Sequence, residues 1–334
     1  MTDWGISGRA AALHAEALVW DNHAGFEPDP DVDLNQLELW RAAGVDYLSI
    51  NVGYDRRPWQ GTKTALTVYR AWIEAHSEGY SLCATADDVR RAKAEGKLGV
   101  TFDIEGMDSL NEDLGLVKEY YRLGVRQMLF AYNLNNPAGG GCHDEDIGLT
   151  DFGRHVIAEM NRVGMLVDGS HSGYRTTLEA MEISSAPFIF SHANSRVLCD
   201  HERNIWDDQI KACAATGGMI GVTGIGIFLG DDGATVDGLV RHIDYMAEMI
   251  GPDKVGIGLD FALDDEALTV DGDLDDGDGE YWPARQYGDG KIGFIDPAEF
   301  PRVTEALLAR GYDDGEVRGI LGENFLRVAG EVWK

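Results

Sequence analysis

Short apolar runs rich in β-branched and aromatic residues alternate along this chain with longer segments whose apolar positions recur every three or four residues. The runs cover residues 17–20, 46–52, 98–104, 126–131, 165–168, 188–190, 219–222 and 255–259. Helical periodicity marks 34–43, 86–95, 116–123, 152–163 and 236–250. Eight strands alternating with helices over about 250 residues predict an α/β fold of the (β/α)8 TIM-barrel type, with an open doubly wound sheet as the rival. Residues 1–334 are then one barrel domain. A long acidic loop, 262–293, follows the eighth strand and reads as a solvated lid or a subunit contact. Residues 297–334 predict two C-terminal helices. Pro297 opens the first, and the second carries Val317, Ile320, Leu321, Phe325 and Leu326 at helical spacing, suited to closing the barrel bottom or packing on its wall.

The stretch from Gly164 to His192 concentrates the candidate chemistry. Met165 to Asp168 is a strand bounded by glycines, Ser172 is placed to cap a helix through about Ser184, and Pro187 opens the next strand. A strand-helix-strand unit of this length is a parallel crossover, which sets His171 and His192 side by side at the carboxyl ends of neighbouring strands. Barrels carry their chemistry at that face. Other strands end there in the same way: His23 follows the first in VWDNHAGF, Glu105 ends the third in VTFDIEG, and Asp260 ends the eighth in GIGLDF. Three imidazoles and a carboxylate suit zinc, and a second carboxylate would serve as proton acceptor. The competing reading is a set of buried, hydrogen-bonded structural side chains. His14, His76, His143, His155, His201 and His242 fall away from strand ends and read as surface or structural.

Composition narrows the classes. With 28 basic against 58 acidic residues the formal charge is −30, which repels nucleic acid and anionic lipid. The hydrophobic fraction of 44% and charged fraction of 26% are those of an ordinary globular protein, and no run approaches the roughly 18 apolar residues of a membrane span. The first residues have no basic stretch leading into an apolar core, so the expected location is the cytoplasm. Cys83, Cys142, Cys199 and Cys213 make no zinc spacing and read as reduced thiols. Gly224, Gly226 and Gly230 miss the dinucleotide-binding spacing. Counted from Asp271, a calcium loop would need glycine and glutamate where Asp276 and Trp282 stand.

The motifs DNHAGF, DIEG, VDGSHS, SHANSRVLCDHERN, GIGLDF and LGENFLRVAGEVW together resemble the membrane (renal) dipeptidase family, peptidase family M19 of the amidohydrolase superfamily. The resemblance implies a zinc-dependent hydrolase cleaving dipeptides or similar small carboxylate-bearing amides by a metal-bound hydroxide. His171, His192 and Glu105 would hold one zinc, and His23 with Glu105 the other. Asp260 would shuttle the proton, and Arg203, eleven residues past His192, would anchor the substrate carboxylate. The fourth strand ends Phe130-Ala131-Tyr132-Asn133 without a lysine, unlike the phosphotriesterase-like and dihydroorotase-like relatives. Two positions depart from the family pattern. Gly25 stands where the family has the aspartate of HxD, which implies one tight zinc and a second weak or absent, with Glu27 the nearest substitute. Tyr132 stands where the family often has a catalytic histidine. These departures keep open a non-peptide amide or lactone substrate, or a degenerate barrel that binds a small acid without turnover. A homo-oligomer is compatible with all of these.

Overall fold

A computed structural model of the chain, describing residues 3–26, 28–57, 59–262, 278–288 and 292–334, arranges the β runs in one parallel sheet. Its strands are β1 (Trp20–Ala24), β2 (Tyr47–Tyr54), β3 (Tyr80–Leu82), β4 (Leu98–Glu105), β5 (Val125–Leu129), β6 (Leu166–Asp168), β7 (Phe188–Phe190), β8 (Met219–Val222) and β9 (Val255–Ile257). The order is β1-β2-β4-β5-β6-β7-β8-β9, with β3 paired to the start of β4. The ends of this path meet across a seam. Asp260 donates its backbone N–H to the His23 carbonyl at 3.0 Å, and Gly25 donates to the Phe261 carbonyl at 3.1 Å. The Asp21 carboxylate accepts from the Leu259 N–H at 2.8 Å. The sheet is thus the (β/α)8 barrel and not a doubly wound sheet.

The structure differs from the sequence expectations at several elements. The first strand runs through Asp21, Asn22 and His23 instead of ending at Trp20, because its polar residues are as buried as its apolar ones. Hydropathy misses such a strand, since the barrel interior near the functional face is filled with hydrogen-bonded polar groups. The three-residue β3 and the helices Gly8–Glu16 and Trp59–Ala75 were not anticipated. Ser172 does not cap the helix Tyr174–Ile183, whose N-cap Gly173 makes no side-chain bond. The Ser172 hydroxyl instead donates to the Ser170 carbonyl at 3.2 Å and accepts from the Ala131 N–H at 3.4 Å, a tertiary contact that local propensity cannot foresee.

The last helix of the carboxyl-terminal region packs at the opposite end from the candidate site, and its first helix packs against the helices Gly8–Glu16 and Val236–Ile250. The region comprises a helix Phe300–Arg310, a short helix Asp314–Arg318, a kinked turn Gly319–Glu323 and a final helix Asn324–Val332, more pieces than the two helices expected. Phe325, Leu326, Val328 and Val332 join Trp20, Tyr47, Leu166 and Met219 in a buried cluster at the strand starts. Trp20 stacks on Tyr47 with centroids 3.5 Å apart, and Phe325 lies parallel to Trp20 at 6.0 Å. Gly256 makes room for this plug, since a Cβ there would lie 2.7 Å from the Phe325 ring. The bottom is therefore sealed by apolar packing, which leaves the carboxyl face for chemistry. Within 262–293, the described part is not all loop: Asp278–Tyr281 and Ala284–Tyr287 are short helices. The rest of the acidic run, 263–277, lies outside the described residues. Among the described residues no helix is long and apolar enough to cross a membrane.

Candidate metal centre

The four ligand candidates meet at one point. Glu105 Oε1 lies 3.3 Å from His171 Nε2, 3.3 Å from His192 Nε2 and 3.5 Å from His23 Nε2. His171 and His192 bring their Nε2 atoms to 3.0 Å of each other, and His23 stacks on His192 with centroids 4.0 Å apart. All four side chains are buried. The bottom-up cause is the sheet itself: β1, β4, β6 and β7 deliver their last residues, or those just after, to one rim.

Each imidazole is held by its other nitrogen. His23 Nδ1 lies 3.1 Å from Asp103 Oδ1, His171 Nδ1 lies 2.6 Å from Asn133 Oδ1, and His192 Nδ1 lies 2.7 Å from Ser191 Oγ. The Ser191 hydroxyl in turn donates to the Asp168 carboxylate, so it accepts from His192. All three rings thus keep the proton on Nδ1 and present the Nε2 lone pair to the centre, the arrangement by which proteins orient metal ligands. Glu105 is fixed through its other oxygen by Asn51 Nδ2. Glu105 Oε1 and His23 Nε2 are left buried with no hydrogen-bond partner. Buried polar atoms without partners are costly, and a divalent cation would satisfy both at once. The residues present therefore fit the metal that the sequence implies.

The electrostatics point the same way. On protein groups alone, burial pushes the Glu105 carboxyl up to about 8; His23 opposes this and Asp260 and Asp103 add to it. Burial, with the charges of Arg203 and His23, holds His171 and His192 well below the usual imidazole range, which keeps them in the neutral form that binds metal. Burial also disfavours the charged ring of His23, but Asp103 and Glu105 outweigh it and raise that group. Both groups are pushed toward holding an extra proton, the mark of a centre short of positive charge; a bound cation would supply that charge and leave the His23 Nε2 lone pair free to bind it.

Asp260 and Tyr132 complete the rim. Asp260 Oδ1 is 3.3 Å from His23 Nε2 and Oδ2 is 3.8 Å from His192 Nε2. Tyr132 lies ring to ring on His171, centroids 4.2 Å apart. Both line a cavity of about 380 Å³ together with Glu105, His171, Trp282 and Phe228. Asn133, His171 and Asp260 have left-handed backbones, with φ of 65, 62 and 57°. Each costs about 1–3 kcal/mol, and such strain persists where the surroundings dictate one conformation. Asp55 supplies part of that control. Its carboxylate accepts from the N–H of Asp108 at 3.0 Å and of Tyr132 at 2.9 Å. Gly106, at φ 119°, lets the chain turn beside it, since a Cβ there would lie 1.9 Å from Asp55 Oδ1.

Arg203 is close to this centre but set apart from the main cavity. It is 2% exposed, and its Nη2 donates to the His192 carbonyl at 2.7 Å. Its Nε and Nη1 are buried without partners, and it lines a small polar cavity of about 120 Å³ that His171 also lines. The acidic neighbours that would make it a surface ion pair are engaged elsewhere, Asp200 with Arg196 and Glu202 with Arg285 and His143. The His143 side chain is fully buried in that network, also bonded to the Tyr287 hydroxyl at 3.1 Å.

The sequence reading missed the supporting shell: Asp103, Asn133, Ser191 with Asp168, Asn51 and Asp55. Two had a signal, because Asp103 is two residues before Glu105 on the same strand face and Ser191 directly precedes His192. Trp282 and Tyr287 reach the site from beyond β9 and had none.

Known proteins resemble this chain over most of its length. The family model described as membrane dipeptidase (peptidase family M19) matches residues 32–276 and 287–334, which include Glu105, His171, His192, Arg203 and Asp260. An uncharacterized dipeptidase from Schizosaccharomyces pombe is 30% identical over 285 residues, 82% of this chain; the match spans only 62% of that relative's length. An amidohydrolase from Pseudomonas aeruginosa is 32% identical, with a TM-score of 0.87 over 97% of this chain and 99% of its own. A metallo peptidase from Rhodobacter sphaeroides, liganded with a phosphinate mimic of the dipeptide L-Ala-D-Ala, shares the fold at 21% identity, with a TM-score of 0.75 over 95% and 99% of the two chains. From the family match over most of its length, the chain belongs to the membrane dipeptidase family, peptidase family M19.

Proposed function

We propose that the protein is a zinc-dependent hydrolase of dipeptides or similar small amides that carry a carboxylate. The observation that carries this reading is the pair of partnerless buried atoms, Glu105 Oε1 and His23 Nε2, at the centre of three Nε2-directed imidazoles. Glu105, His171 and His192 would hold the tight zinc, and His23 with Glu105 a weaker second one. Imidazole and carboxylate donors suit zinc. When bound, the metal supplies an activated water and polarises the amide carbonyl.

The chain's own residues would do the rest. Asp260, at the cavity wall beside His23 and His192, takes the proton of the attacking water and passes it to the leaving amine. Tyr132 offers its hydroxyl to the carbonyl oxygen. Burial, and then the nearby Glu105 charge, hold this phenol well above its ordinary pKa, so it stays a neutral donor. Arg203, a permanently charged fork with two unpartnered nitrogens, anchors the substrate's terminal carboxylate through the small cavity, which shares His171 with the main one. Phe26, Phe228, Trp282 and Phe294 give the main cavity apolar walls that limit water.

A second substrate class, a non-peptide amide or a lactone, is favoured by Tyr132 itself, because a phenol polarises the carbonyl less than a charged imidazole. Metal analysis paired with a dipeptide library, including D residues at the carboxyl end, decides. Turnover of dipeptides by zinc-loaded protein is expected. Zinc binding without turnover of any library member would move the assignment to the other substrates.

A further inference from the structure

The two residues that lead out of β5 toward the metal centre are each held by one of two consecutive residues far along the chain. The Trp282 indole N–H donates to the Tyr132 hydroxyl at 3.3 Å, with the rings edge to face at 80°. The Tyr281 carbonyl accepts from Asn133 Nδ2 at 2.9 Å. Both held residues bear on the same ligand. Tyr132 covers the face of the His171 ring, and Asn133 Oδ1 accepts from its Nδ1. Residues 281–282 therefore reach His171 by two routes, each through one intermediary.

The hydrogen-bond inventory shows what this contact does. A phenol oxygen has one proton and two lone pairs, whereas an indole N–H can only donate. Trp282 thus occupies a lone pair of Tyr132, and among the described residues this is the hydroxyl's only hydrogen bond. The Tyr132 proton is left for an acceptor in the cavity that Tyr132, Trp282, Glu105 and Asp260 line. Donation to the oxygen also polarises the O–H bond and strengthens it as a donor. Asn133 is committed at both ends of its amide, so only one amide orientation satisfies both bonds. That orientation keeps the proton on His171 Nδ1 and Nε2 toward Glu105.

We infer that Tyr281 and Trp282 form a positioning clamp. Trp282 sets Tyr132 as a hydrogen-bond donor to the scissile carbonyl oxygen, and the Tyr281 backbone locks Asn133 against His171. The role toward the carbonyl rests on the dipeptidase reading, whereas the clamp itself does not. Tyr281 and Trp282, which lie beyond the eighth barrel strand, then position the groups that meet His171 and the substrate carbonyl.

Two measurements test this on the zinc-loaded full chain. Trp282→Phe should lower kcat by about threefold to tenfold, the effect of one neutral hydrogen bond, with KM changed by less than about twofold. Tyr132→Phe should lose at least as much, and the double variant no more than Tyr132→Phe alone. Additive losses would overturn the proposal. In protein labelled with ¹⁵N at the indole nitrogen, the Trp282 N–H resonance, identified by its loss in Trp282→Phe, should move upfield in Tyr132→Phe. A resonance that stays in place overturns the clamp. If the unmodified protein hydrolyses no dipeptide, the dipeptidase reading falls, and the resonance alone still decides the clamp.

Discussion

The carboxylate of Asp260 presses on Gly25: a Cβ built on Gly25 would lie 3.1 Å from Asp260 Oδ1. The backbone at Gly25 lies outside the left-handed region, so an L residue fits there if Asp260 gives way by a few tenths of an ångström. The space beside His23 is thus filled by Asp260 in place of a carboxylate from position 25. Glu27, the other candidate, lies outside the described residues. With Asp260 kept for proton transfer, the expected content is one tightly held zinc per chain and a second lost on dialysis against a mild chelator. Gly25→Asp should raise the content toward two, since a restored ligand is worth at least the roughly 10–100-fold in affinity of an outer-shell group. Two tightly held ions in the unmodified protein would refute this.

Asp260→Asn keeps the size of the side chain but removes its basicity. Turnover should fall by about 10²–10⁴-fold, the usual contribution of a general acid or base. Zinc content and melting temperature should stay near those of the unmodified protein. Near-normal turnover would take Asp260 out of the mechanism.

Arg203→Met tests the anchor. A charged hydrogen bond contributes roughly 1.5–3 kcal/mol, or about tenfold to a hundredfold in kcat/KM. Free-acid dipeptides should lose that much, and their C-terminal amides far less. Equal losses for both would assign Arg203 to structure alone, through its bond to the His192 carbonyl.

Acid stability should depend on His242, away from the metal. Its Nδ1 accepts from the Ser195 N–H at 3.1 Å, and burial lowers its pKa to about 4. The unfolded ring takes up a proton near pH 6.5 while the folded ring resists until about 4. The unfolded state therefore binds more protons in that window, and stability falls as pH drops through it, by up to about 1.4 kcal/mol per pH unit. His242→Gln should be less stable at neutral pH yet lose less on acidification from 6.5 to 4. Parallel melting-temperature profiles for the two proteins would contradict this role.

The sequence by itself determined the barrel and its rim. Strand-ending His171, His192, Glu105 and Asp260 are legible because a parallel strand delivers its last residues to one face whatever the packing around it. The eight-strand alternation follows from buried parallel strands reading as apolar runs. Local pattern fails where polar residues are buried by partners distant in sequence. β1 was displaced because Asp21, Asn22 and His23 are satisfied by Trp40, Gln127 and Asp103, none of them near in the chain. Only the tertiary structure decided that each imidazole has its Nδ1 occupied, that Arg203 lines a small separate cavity, and that Trp282 meets Tyr132. Those facts depend on atoms brought within about 3 Å by folding, across separations as large as 150 residues between Tyr132 and Trp282, and no periodicity in the chain encodes them.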